Sequence, residues 1–141
     1  MSRQQLRTRP SPFSEMTVIT LNGSAQAILS ASRLSMTSQS LDVSQAHKIG
    51  LFYTVTATGN GAVDMTISLE GSFGAGQPFH VMNGEAASSA AQDITEVDVA
   101  IGRRFVWWNI TAPVARFRIN TANLAGADTV TLNGMNAWTQ S

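Results

Sequence analysis

From Val63 to Glu70 the chain alternates strictly, with Val63, Met65, Ile67 and Leu69 apolar and Asp64, Thr66, Ser68 and Glu70 polar. An extended strand sends successive side chains to opposite faces, so this pattern gives one dry and one wet face; on a helix the same apolar residues would be scattered around the circumference. The pattern recurs at Val114–Thr121, where Ala115, Phe117 and Ile119 are expected inward and Arg116 and Arg118 outward. In Lys48–Thr58, Ile49, Leu51, Tyr53, Val55 and Ala57 share one face and Gly50, Phe52, Thr54, Thr56 and Thr58 the other. Bulk on both faces predicts a central strand covered on two sides. Helical periodicity is nearly absent.

Turn chemistry separates these runs at the short intervals expected of a sandwich or barrel. Asn22-Gly23 suits a type I′ turn after Met16–Leu21, with Ala25–Leu34 expected to return as the hairpin partner. A Ser-rich stretch leads to a short strand at Leu41–Val43, and Gly59–Gly61 turns the chain into the strand Ala62–Ser72. Gly71–Gln77 is a glycine-rich loop, Phe79–Met82 a short strand and Asn83–Gln92 a loop. Ile94–Ile101 is read as a strand with Val97, Val99 and Ile101 opposite Glu96 and Asp98, and Arg103–Thr111 as the most aromatic segment. Pro113 marks the gap before Val114–Thr121, because proline cannot donate to a ladder. After a turn at Ala125–Asp128, a last strand points Val130 and Leu132 inward, followed by Asn133-Gly134 and Met135–Trp138. The expected fold is all-β: an antiparallel two-sheet sandwich of jelly-roll type, about eight strands, over residues 16–141, preceded by an extended Arg-bearing arm at 1–15.

Nine basic residues balance nine acidic ones, and only 13% of the 141 residues are charged. Neutrality argues against a chain-wide nucleic-acid binder, but it conceals a division. Arg3, Arg7 and Arg9 precede the first acid, Glu15, which leaves 6 basic and 8 acidic residues from Met16 onward. Three arginines neutralise too little phosphate to hold nucleic acid alone, yet each can make a bidentate contact to a partner carboxylate. The absence of cysteine excludes disulfides, thiolate metal sites and cysteine nucleophiles. No apolar run reaches the roughly 18 residues of a membrane helix, and no secretory h-region is present, so synthesis in the cytoplasm is expected.

Catalytic patterns are weak. Glu96 and Asp98, two apart, would sit about 6 to 7 Å from one another on a strand face, within reach of glycosidic acid/base work. Alternation alone yields that spacing on any wet face, and the solvated reading is preferred. With Asp93, a loose calcium site is the only metal arrangement in sight. His47 and His80 have no partner at ligand spacing, and Gly71–Gly76 shares only its glycine content with a phosphate loop. No cofactor or metal is called for. Trp107 and Trp108 must point to opposite faces of one strand, so one can be core while the other meets a partner beside Arg103, Arg104, Arg116 or Arg118.

The runs Ile49–Thr58, Val63–Phe73 and Ala115–Thr121 resemble the small jelly-roll or galactose-binding-like sandwiches of tailed-bacteriophage virion proteins. The resemblance spans about two thirds of the chain, from Lys48 onward, and differs from sugar-binding modules where Gly74–Pro78 intervenes. It implies a non-enzymatic structural protein of the virion, a capsid decoration or accessory component. Its partners would be capsid, tail or connector subunits and further copies of itself, with no direct nucleic-acid or membrane contact. Arg3, Arg7, Arg9, Phe13, Arg103, Arg104, Trp107 and Trp108 are the expected partner-binding residues. The alternative is a carbohydrate-binding module, with Trp107 or Trp108 stacking on a sugar and Asp64, Glu70 or Asn109 accepting its hydroxyls. A hydrolase using Glu96 and Asp98 ranks last.

Overall fold

The computed structural model describes residues 13–14, 16–58, 63–74, 76–82, 93–124 and 128–141. The expected partner-binding residues Arg3, Arg7 and Arg9, and the expected turns and loop at Gly59–Gly61, Asn83–Gln92 and 125–127, lie outside these residues. Eleven strands are described: β1 (Thr17–Val18), β2 (Ala27–Ser30), β3 (Ser35–Thr37), β4 (Leu41–Asp42), β5 (Lys48–Ala57), β6 (Asp64–Ser72), β7 (His80–Val81), β8 (Ile94–Glu96), β9 (Gly102–Asn109), β10 (Val114–Ala122) and β11 (Thr129–Gln140).

They form two antiparallel sheets. In the first, β1 and β2 line the same edge of β11, followed by β5 and β9; in the second, β3 and β4 share an edge of β10, and β7 and β8 an edge of β6. If each such pair counts as one interrupted strand, the orders become first–eighth–third–sixth and second–seventh–fourth–fifth. That is the strand order of a jelly roll.

The inward faces meet in one core. Leu51, Tyr53 and Val55 of β5, Met65, Ile67 and Leu69 of β6, Phe117 and Ile119 of β10, and Val130 and Leu132 of β11 are buried as the alternation requires. The β6–β10 ladder runs in unbroken register from Ser72↔Val114 to Asp64↔Ala122, which sets the polar residues of both strands on the outer face.

Four expectations need correction. Asn22 and Gly23 do adopt positive φ, 48° and 83°, and Leu21 and Ser24 exchange backbone hydrogen bonds across them, so the type I′ turn forms. The hairpin does not extend from it: β1 and β2 each pair with β11, whose longer ladder outcompetes a local partner. The turn instead reaches the second sheet, where the Asn22 N–H donates to the Thr37 carbonyl at 2.9 Å.

The strand expected over Ile94–Ile101 stops at Glu96. Asp98 takes φ 53°, in the left-handed region, which breaks the alternation; Val99 is buried while Val97 and Ile101 are exposed. Asn133-Gly134 does not interrupt the last strand. It forms a bulge within the twelve residues of β11, with Gly134 at φ 60° and the pairing to β5 shifting register between Asn133 and Asn136. Finally, β5 lies between β11 and β9 as a central strand, but only one of its faces is covered, since Phe52 is 40% exposed.

Candidate functional site: an aromatic outer face

The outer face of the first sheet follows from register. Val18 pairs with Asn136, Asn136 with Phe52 and Phe52 with Phe105, which makes one row across four strands. The adjacent row is Trp138, Gly50 and Trp107, and beyond it lie Gln140, Lys48 and Asn109. Aromatic side chains therefore come from β5, β9 and β11, and Phe13 joins them through a bridge to Gln140.

Gly50 is the floor of the group. A Cβ there would lie 2.9 Å from two ring carbons of Trp138 and 3.0 Å from Phe105, so only glycine lets the Trp138 indole lie across the sheet. Trp138 stacks on Phe105 (centroids 5.6 Å apart, planes at 12°) and takes the edge of Phe13 at 5.1 Å. Phe105 also meets Phe52 at 4.6 Å, and the Lys48 ammonium sits 4.5 Å from the centroid of the Trp107 ring.

The rings of Phe13, Trp138, Phe105 and Phe52 form a chain of contacts with Trp107 on the same face, and the surface remains open to solvent: Phe13 is 51%, Phe105 46% and Trp107 50% exposed, with Val18 at 59%. At about 200 Å² for a whole aromatic side chain, these residues with Phe52 and Met16 leave on the order of 500 Å² of apolar surface. That is at the upper end of what the largest patch on a monomer usually shows, and such a patch ordinarily marks an interaction site. Lys48 and Arg103 lie on the same face.

The outer face of the second sheet is the opposite in character. Glu70, 7% exposed, accepts from Arg116 Nε at 2.7 Å and from Arg118 Nε at 3.0 Å. Arg116 also lies over the Phe79 ring at 4.0 Å. Thr66 and Thr95 hydroxyls meet at 3.2 Å across the β6–β8 pair. The charged groups of this face pair with one another, and among the described residues it presents no comparable row of rings.

Of the expected partner-binding residues, Phe13, Arg103 and Trp107 come together on the first sheet. Trp108 does not: it is buried against Phe117 at 5.3 Å, as strand alternation demands once Trp107 is outside. Arg104 is turned into a network, its Nε donating to Glu96 Oε1 at 2.7 Å and its Nη2 to the Ala100 carbonyl at 2.7 Å. Arg116 and Arg118 belong to the other sheet and cannot flank Trp107. Phe52, Phe105 and Trp138 were missed as site residues, although the bulk on both faces of the Lys48–Thr58 segment was the signal for Phe52.

The carboxylate pair dissolves in the structure. Glu96 Oε2 accepts from the Tyr53 hydroxyl at 2.6 Å and Oε1 from Arg104, while Asp98 sits beyond the end of β8, its N–H donating to Asp64 Oδ1 at 3.2 Å. Burial, with the hydrogen bond to Glu96 and its charge, holds the Tyr53 phenol far above its ordinary pKa. Among the described residues no group of three His, Asp or Glu side chains could hold a metal ion. In place of a phosphate loop, the Ser72 hydroxyl at the end of β6 donates to the Gly74 and Gln77 carbonyls, 3.0 and 3.2 Å away.

No protein-family model matches the chain, and no curated protein matches it significantly. The architecture stands on its own as an all-β, two-sheet antiparallel sandwich.

Proposed function

We propose that this chain is a non-enzymatic structural component of a bacteriophage virion, a capsid decoration or accessory protein that docks on neighbouring subunits. The aromatic outer face of the first sheet is the docking surface, and Arg3, Arg7 and Arg9, which precede Phe13 in the sequence, add charge-assisted contacts. One observation carries the reading: an apolar face of on the order of 500 Å² beside a face whose charged groups pair with one another. Jelly rolls are a recurrent architecture of viral capsid proteins, which supports the assignment of class. Contacts of this size gain avidity when symmetry repeats them over a lattice.

The test follows a tagged copy of the chain through density-gradient purification of phage particles from the source that encodes it. The chain is expected in the particle band at a fixed stoichiometry. Phe52→Ser with Trp107→Ser, or deletion of residues 1–12, should release it while leaving its far-UV circular dichroism spectrum unchanged. Absence of the unaltered chain from the particles overturns the reading.

A carbohydrate-binding module is the second reading, favoured by the half-exposed Trp107 beside Asn109. Asp64 and Glu70 lie on the opposite sheet and Trp108 is in the core, so the sugar contacts expected of those three residues are not available there. Glycan-array binding that disappears in Trp107→Ala would establish this reading in place of the first.

A further inference from the structure

The second feature without an occupant is an edge. Sandwiches protect their edges with short or interrupted strands. Here β1, β2, β3, β4, β7 and β8 are each two to four residues long, whereas β9 runs through eight. Among the described residues, no strand pairs with the side of β9 that faces away from β5. Charge gives this edge little protection, because Arg104 is drawn off to Glu96 and only Arg103 remains on the outer face.

The direction of the backbone groups is fixed by one bond. The Ile110 N–H donates to the His47 carbonyl at 2.8 Å, which makes Lys48↔Asn109 a non-hydrogen-bonded pair and sets the alternation along the ladder. The backbone groups of Arg104, Val106 and Trp108 are thus turned to β5, and those of Arg103, Phe105 and Trp107 to the open edge. The residues that offer hydrogen bonds outward also carry the outward side chains.

We propose that two copies of this chain pair through β9, antiparallel about a two-fold axis at Phe105, and so join their first sheets into one. In that register Phe105 faces Phe105 of the second copy as a hydrogen-bonded pair. Arg103 of each copy faces Trp107 of the other, which exchanges like-charge repulsion for a cation–π contact. The formal charge of each copy is zero, so no net repulsion opposes the approach. Isologous pairing requires a surface complementary to itself, and the order Arg103, Phe105, Trp107 reversed on itself meets that condition. The inner-facing positions are compatible, since Arg104 lies opposite Val106. This pairing extends the assembly reading by supplying its repeating unit, and it rests on that reading only for its purpose.

The chain contains no cysteine, so a cross-link carries no background. A hydrogen-bonded antiparallel pair has Cα atoms about 5.5 Å apart, within the disulfide range. Light scattering of the isolated chain should give twice its 15.0 kDa mass, falling to one copy in Phe105→Lys, whose far-UV circular dichroism spectrum should remain that of the folded chain. Phe105→Cys under mild oxidation should cross-link nearly completely, and Val18→Cys, exposed at the far edge of the same sheet, should not. A monomer at all concentrations overturns the proposal, as does a dimer in which position 105 cross-links no faster than position 18. A dimer cross-linked at 105 that never enters particles refutes the docking reading alone; a particle-bound monomer refutes the pairing alone.

Discussion

Tyr53 is the only tyrosine of the chain and Lys48 the only lysine, so alkaline titration reports on very few groups. Tyr53 is buried, and its hydroxyl donates to Glu96 at 2.6 Å. Ionisation would bury a phenolate against a carboxylate, and its pKa is accordingly raised, chiefly by burial and then by Glu96. In the unfolded chain the phenol titrates near its ordinary value of about 10. Because the folded-state pKa lies above the unfolded one, the stabilisation is complete below pH about 10 and is lost as pH rises beyond it. Above that point the unfolded chain has released a proton that the folded chain keeps. Once pH exceeds that value, stability should fall by about 1 kcal/mol per pH unit, or roughly 2 kcal/mol between pH 10 and 12. The assay is urea unfolding at stepped pH, followed by far-UV circular dichroism, with tyrosinate absorbance read in parallel. Tyrosinate should appear only with unfolding. Tyr53→Phe should cost about 1.5–3 kcal/mol at neutral pH for the lost bond to a charged acceptor and should flatten the alkaline slope. Tyrosinate forming near pH 10 in a fully folded protein would refute the argument, and so would an undiminished slope in Tyr53→Phe.

Three further outcomes follow from packing and charge. Glu70→Ala leaves Arg116 and Arg118 facing each other without a counter-ion; discounted for their partial exposure, the loss should be about 1–3 kcal/mol in chemical denaturation, with Glu70→Gln recovering part of it. The Trp108 indole N–H is buried without a partner among the described residues, so Trp108→Phe trades lost ring volume against relief of about 1–3 kcal/mol and should change stability by no more than about 1 kcal/mol. Gly50→Val drives a side chain into Trp138 and Phe105; it should lower stability by about 1–3 kcal/mol and shift tryptophan emission as the Trp138 stack opens.

The inward faces were legible because period two is a local property. Val63–Glu70 and Ala115–Ile119 state their own orientation, and the β6–β10 ladder agrees with both at every position. Pairing was less legible, since it is decided by competition between distant segments. Asn22-Gly23 correctly specified its turn, yet β2 found β11 rather than β1, a choice that nothing within Met16–Leu34 encodes. Asp98 shows the third limit: a single residue in the left-handed region ended an alternating pattern that continued in the sequence to Ile101. At the site, adjacency on one strand showed that Trp107 and Trp108 must diverge, but which one faces outward depends on the register with β5. Trp138 joined the group only because β11 continues through its bulge, whose effect on direction is tertiary.

The two-sided bulk of β5 now has a different meaning. A strand apolar on both faces usually implies layers on both sides, and the second layer here would have to cover Phe52, Phe105, Trp107 and Trp138. No described element does so. A sheet that keeps aromatic side chains on an uncovered face is under continuous penalty in water, and substitution to Ser or Thr would remove that penalty at no cost to the core; Thr54 and Thr56 on the same face of β5 show that the strand accepts such residues. Gly50 sharpens the point. It sacrifices strand propensity to let Trp138 lie flat over the sheet, a concession that improves nothing in the core and serves only the outer surface. On the docking proposed above, the missing layer is a neighbouring subunit, and the same rings that mark the gap fill it from this side.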